Sequence, residues 1–168
     1  YGEPRCGAQA ARRTAHIAII GYGKLGGWEL GYGSDLDLVF LHDSDGDEQR
    51  TDGARAVENN VFFSRLVQRL IHILATVTPS GATYEIDTRL RPSGAAGQLV
   101  INCESFADYQ LREAWEWEHQ ALVRARAIAG DAKLAARFAE IRATVLARPR
   151  DGATLRRDIV EMRERMVK

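Results

Sequence analysis

Asp35 and Asp37 stand two residues apart in SDLDLVF (34–40), a stretch with the alternation of a strand. In a strand, positions i and i+2 project from one face, so the two carboxylates share a face. Leu36 and Leu38 turn the other way, towards a core. Like charges at that spacing repel, and burial makes them costlier still. A hard cation removes that cost, and a pair of oxygen ligands suits Mg²⁺ held together with substrate phosphates. An exposed edge strand would leave the same acids solvated and idle. The flanking LDLVFL is apolar on both faces in its second half, which argues for a central strand whose end opens at a cleft.

A second acidic stretch supports the metal reading. In YEIDTRL (84–90), Glu85, Asp87 and Arg89 share one face, and Tyr84, Ile86 and Thr88 the other. Beside 35–42, this strand would let Asp87 or Glu85 complete a three-carboxylate site. Arg89 and Arg91 would then stand ready for phosphate oxygens. Taken alone, the stretch reads better as an amphipathic strand with a surface ion pair.

The glycines of GYGKLG (21–26) fit G-x-G-x-x-G after an apolar strand, HIAII. A dinucleotide-binding unit needs a crossover helix and a second parallel strand after them. Asp35 follows Gly27 by only eight positions, too few for that crossover. No G-K-[ST] follows, so a Walker loop is excluded too. What remains is a loop that approaches phosphate or a plain tight connection between strands.

These residues need elements to position them. The 168 residues are enough for one real core and a small second domain. Residues 1–15 read as a loose opening segment, and 16–22 and 35–42 as strands. A helix of two turns at most fits after Gly27. DSDGDEQRTDG reads as a solvated loop. Val57, Val61, Phe62, Leu66, Leu70, Ile73 and Leu74 recur at helical steps. They predict a helix over 53–77, roughly 37 Å long. A strand over 83–90, a turn-rich RPSGAAG and a short strand in QLVI follow. From Glu104 the pattern is helical in three pieces, 104–129, 131–147 and 154–168. The last carries Leu155, Ile159, Met162 and Met166 on one stripe. The expected domains are the opening segment 1–15, a core at 16–102 and a helical region at 103–168. The ends of the chain read as those of a piece cut from a longer protein.

Composition narrows the function. Lys plus Arg and Asp plus Glu are 23 each, so no net charge draws the chain to nucleic acid or an anionic membrane. No apolar run reaches the length of a membrane span. Cys6 and Cys103 form no C-x-x-C pair, which fits a reduced, cytoplasmic setting. His16, His42, His72 and His119 lack metal-ligand spacing. No Ser-His or Cys-His arrangement offers a protein nucleophile. Trp28, Trp115 and Trp117 read as core or interface residues, and Arg124 and Arg126 as a solvated helix face.

Glycines, a short gap, Ser-Asp-h-Asp-h on a strand and a third Asp on a later strand resemble the DNA polymerase β-type nucleotidyltransferases. The longer stretches GYGKLGGWELGYGSDLDLVFLHD, YEIDTRLRPSGAAGQLV and FADYQLREAWEWEHQALVRARAIAGD are similar to the bacterial glutamine synthetase adenylyltransferases, over about 16–168. That family carries two related domains, an N-terminal one that removes AMP by phosphorolysis and a C-terminal one that adds it. GYGSDLDLVF, RPSGAAG and EAWEWEHQALVRAR resemble the adding copy. The resemblance implies an α+β fold: a polymerase β-type core, a small mixed sheet with helices, followed by a mainly helical C-terminal part. It implies that Asp35 and Asp37 bind two Mg²⁺ ions and that Asp87, rather than Glu85, holds the catalytic one. It implies that Gly26, Gly27 and Ser34 line the ATP triphosphate, with Lys24, Arg89 and Arg91 as further phosphate contacts. The implied reaction moves AMP from ATP to a tyrosine hydroxyl of glutamine synthetase and so regulates nitrogen assimilation. The PII signal protein would act through the full-length enzyme, and no nucleic acid or membrane partner is expected. Two rivals remain: phosphorolytic AMP removal, and a non-catalytic module that keeps the fold for binding.

Overall fold

The most apolar stretch of the chain becomes its central strand. A computed structural model describes residues 1–8, 11–79, 81–82, 84–149 and, singly, Gly152, Arg156, Arg157 and Val160. The strands are β1 (Pro4–Cys6), β2 (Arg13–Thr14), β3 (Ile17–Gly21), β4 (Leu36–His42), β5 (Arg50–Thr51), β6 (Val77–Thr78), β7 (Gly81–Ala82), β8 (Ile86–Asp87), β9 (Val100–Asn102) and β10 (Arg126–Gly130). The helices are α1 (Gly23–Gly26), α2 (Asn59–Leu74), α3 (Cys103–Arg112), α4 (Glu116–Leu122) and α5 (Ala132–Leu146).

The main sheet is mixed. β10, β3 and β4 run antiparallel in that order. On its other edge β4 pairs in parallel with two short strands, β8 beside Leu36 and Asp37 and β9 beside Phe40 to His42. Parallel neighbours need a long crossover, and α2 supplies it. β4 thus has partners on both edges, as its two-sided apolar pattern predicts.

Its side chains divide two cores. Leu36, Leu38 and Phe40 pack with Phe63 and Val67 of α2 and with Val100. Val39 and Leu41 face the other way, into a cluster with Phe106 of α3 and Leu134, Phe138, Ile141 and Val145 of α5. Burying one such side chain contributes roughly 1.5–3 kcal/mol, so both layers are anchored through one strand. α3 and α5 start on side-chain caps. The Asn102 carbonyl oxygen accepts from the Glu104 and Ser105 amides at 2.8 and 3.2 Å, and Asp131 accepts from Leu134 at 2.9 Å.

Several expectations need correction. The opening segment holds β1 and β2, which join β5 in a separate three-stranded sheet. α1 precedes Gly27 rather than following it. α2 starts at Asn59, not 53. The Thr51 amide donates to Val57 O, the Val57 amide donates to Thr51 Oγ1, and this closed turn keeps 51–57 out of the helix. Among the described residues, the strand expected over 83–90 is paired only at 86–87. The helix expected over 104–129 is α3, α4 and then the strand β10. Arg, Ala and Leu in ALVRARAIAG favour a helix locally, but pairing with the open edge of β3 overrides that preference. The helix expected at 131–147 is α5. The stripe Leu155, Ile159, Met162 and Met166 lies outside the described residues.

Candidate active site

Asp37 is the one residue of β4 that is not fully buried. By period two it shares the face of Val39 and Leu41, at the end of the strand that the α3 and α5 layer leaves open. In the parallel register with β8, Asp37 sits directly opposite Asp87. Asp35 lies just before β4. The Leu36 amide donates to Glu85 O at 2.8 Å, which ties the start of β4 to the start of β8. The strand adjacency expected from the sequence is therefore present, and Asp87 rather than Glu85 is level with Asp37. Glu85 lies one step outside, lining a cleft of about 630 Å³ with Tyr84 and the loop from Leu30 to Ser34.

The carboxylates feel one another. The Asp37 carboxyl is pushed up from its ordinary range, first by burial, then by the charges of Asp87 and Asp35; Arg89 and Lys24 oppose the shift. Asp87 is pulled down, chiefly by hydrogen bonds from the Arg89 guanidinium. Arg89 Nε reaches both Asp87 oxygens at 3.1 and 2.9 Å, and the Arg89 amide donates to Oδ1 at 2.7 Å. So the first cation at this site is a side chain.

The glycine turn packs on the acids. The Tyr22 amide donates to Asp37 O at 2.9 Å. Gly23 follows with φ of 52°, and a Cβ there would run into the Asp37 carboxylate. Only glycine lets the backbone pass so close. Gly26 and Gly27 sit differently from the expectation that their amides face phosphate. Gly26 N donates to Tyr22 O at 2.9 Å and Gly27 N to Gly23 O at 3.0 Å, so both donors are used inside α1. Gly26 is small for another reason: a Cβ would strike the carbonyl of Arg124. Lys24 Nζ lies 3.5 Å from Ser34 Oγ, and these two stand together beside the acids. Arg91 is turned into its own loop, where it donates to Thr88 O, Thr88 Oγ1, Ala95 O and Gly97 O at 2.7–3.3 Å.

Arg126 and Arg124 have a role that sequence reasoning missed. From β10, Arg126 donates to Gly26 O at 2.9 Å and to Leu25 O at 3.2 Å, and covers the ring of Trp28 at 3.6 Å. Arg124 pairs with Glu29. Both hold the glycine turn from about 100 residues away. The alternation of Arg124 and Arg126 with Ala125 and Ala127 was the available signal, a period of two rather than 3.6.

Among the described residues no group of three or more His, Cys, Asp or Glu side chains converges tightly enough to enclose a metal ion. The donor set nevertheless fits a hard cation. It is all oxygen, its members repel one another, and a guanidinium already sits on Asp87. The Arg89 side chain is 79% exposed, and beyond its bonds to Asp87 it also feels the charges of Asp35 and Asp37.

A small mixed sheet, its covering helices and acids at the mouth of the central strand fit a nucleotidyltransferase core. A family model described as glutamate-ammonia ligase adenylyltransferase matches residues 2–141. A bifunctional glutamine synthetase adenylyltransferase/adenylyl-removing enzyme of Thioalkalivibrio sulfidiphilus (strain HL-EbGR7) is 59% identical over 166 residues, 99% of this chain. The chain belongs to the glutamate-ammonia ligase adenylyltransferase family. It spans 17% of the length of that relative. Among the described residues no helix is long and apolar enough to cross a membrane.

Proposed function

We propose that this chain transfers AMP from ATP to a tyrosine hydroxyl of glutamine synthetase and releases pyrophosphate. The observation that carries the reading is the level pairing of Asp37 with Asp87 across β4 and β8, with the Gly23 turn packed on Asp37. Asp35, Asp37 and Asp87 are the residues that would hold Mg²⁺, two ions by family pattern. Bound there, Mg²⁺ supplies Lewis-acid activation of the attacking phenol and neutralises charge on the leaving pyrophosphate. Everything else falls to positioning, as is usual in this chemistry. Ser34 and Lys24 present a hydroxyl and an ammonium to the triphosphate. Arg89, released from Asp87, adds a third donor group. The phenol oxygen attacks the α-phosphorus, the bond from that phosphorus to the bridging oxygen breaks, and no protein nucleophile intervenes.

The division of labour follows. Residues 16–102 carry the acids and the glycine turn. Of the region expected at 103–168, residues 103–149 cover one face of the sheet and brace the turn through Arg124 and Arg126. The PII signal protein acts through the longer protein, in the cytoplasm, where the buried unbridged Cys6 and Cys103 stay reduced. Phosphorolytic AMP removal is the second reading, and the name of the T. sulfidiphilus relative covers both directions. GYGSDLDLVF and RPSGAAG favour addition.

The test uses unadenylylated glutamine synthetase, Mg²⁺ and ATP labelled at the α-phosphate. Label is expected on the synthetase, and none with Asp35→Asn plus Asp37→Asn. Release of AMP from pre-modified synthetase by inorganic phosphate, without labelling, would reverse the assignment of direction.

A further inference from the structure

Trp28 occupies a position that chemistry normally gives to glycine. α1 closes on the Glu29 amide, which donates to Lys24 O at 2.8 Å, and on the Trp28 amide, 3.5 Å from Leu25 O. That pair of bonds is a Schellman ending, and the residue between takes left-handed backbone angles. Here it is Trp28, at φ of 61°. A bulky side chain is unfavourable there, and glycine is the usual choice. The ring gains no burial in exchange, since Trp28 is 81% exposed. One of its faces is covered, by the Arg126 guanidinium at 3.6 Å. Arg126 is itself fixed by its bonds to Gly26 O and Leu25 O. The fold therefore holds an exposed indole braced on one face by Arg126, at a backbone cost, with the other face open. It does so at the end of the same short helix whose start packs on Asp37.

We propose that the open face of Trp28 is the stacking platform for the purine base of the nucleotide, with Arg126 as the residue that positions it. The inference rests on the nucleotidyl-transfer reading of the acid site. A base attached to a triphosphate at the α1 turn is a flat π-surface, the partner that a rigid exposed indole selects. The guanidinium on the far face keeps the ring from folding down onto the sheet.

The test separates base from phosphate. Binding of MgATP and of Mg-tripolyphosphate is measured by calorimetry on the full natural chain. Subtracting the signal of the same chain carrying Asp35→Asn and Asp37→Asn isolates this site. Trp28→Gly is the key variant, because glycine suits the left-handed position and the fold should be kept or strengthened. The expected result is MgATP binding weakened roughly 5- to 150-fold, the range of one base–aromatic stack, with tripolyphosphate binding unchanged. Trp28→Phe should restore most of the ATP affinity. Equal loss for ATP and tripolyphosphate would overturn the proposal and make the ring a brace for the turn only. Unchanged ATP binding would overturn it too, and leave the indole to a polypeptide surface. If the natural chain binds neither probe in a manner dependent on the two acids, the nucleotidyl-transfer reading itself fails, a distinct result.

Discussion

The two ends of β4 carry the same residue type in opposite circumstances. At its carboxyl end, Asp43 accepts from Arg13 at 2.8 Å and from the His16 amide at 2.6 Å. Arg13 also pairs with Asp45 at 3.1 Å. Behind them lies a buried network: the Ser44 amide donates to His42 Nδ1, Asn59 donates to Ser44 Oγ, and Asn102 donates to Ser44 O. The loop that follows, read from the sequence as solvated, is exposed from Asp45 to Glu48, while Ser44 at its start is buried. At the amino end, Asp37 faces Asp87 and Asp35, and the positive charge comes from Arg89 and Lys24, with Arg91 also acting on Asp87. An acid that serves the fold comes with its donors. On the reading proposed above, Asp37 is left among other acids for a ligand, and its raised carboxyl fits that role.

The sharpest way to break that contrast is to make one substitution at both ends. Asp37→Asn should lower AMP transfer by on the order of 10²–10³-fold, the scale for losing one group that stabilises charge in the transition state. Transfer of α-phosphate label checks it. Asp43→Asn should leave transfer per folded molecule unchanged and cost about 1–3 kcal/mol, since the Arg13 guanidinium and the His16 amide lose a charged acceptor. For a chain of this size that lowers the melting midpoint by roughly 2–12 °C.

A smaller effect carries the opposite sign. Without metal, Asp37→Asn should raise the melting midpoint at neutral pH. The Asp37 carboxyl is raised in the fold, so the stability tied to its protonated form is full below the ordinary carboxylate pKa. It is lost as pH rises through the raised value. The advantage of the Asn variant should therefore shrink to nothing as pH falls below the ordinary carboxylate range. Melting curves across that range decide it; an advantage that persists in acid would refute the charge explanation. Arg89→Gln should have the least effect on melting. Its mark is on titration: Asp87 loses the guanidinium that depresses it and should move up, visible in its carboxyl carbon resonance.

Much of the site was legible because its signals are local. Two acids at i and i+2 fix a shared face whatever the rest of the chain does. Leu36, Leu38, Val39, Phe40 and Leu41 predict burial on both sides of one strand, and β4 has it. The alternation in YEIDTRL set Glu85 and Asp87 on one face but left their register open.

What the sequence alone determined is thus the inventory: carboxylates on strand faces, a glycine turn too short for a crossover, and a long helix between two strands. Tertiary structure decided the pairings. That Asp87 rather than Glu85 stands level with Asp37 depends on how β8 docks on β4, a long-range register. That ALVRARAIAG yields β10 depends on the open edge of β3, because pairing there outweighs a weak local preference for helix. That Gly26 must be glycine depends on the carbonyl of Arg124, nearly a hundred residues on. Each of these is a contact between distant segments, and local spacing carries no information about which distant segment will arrive.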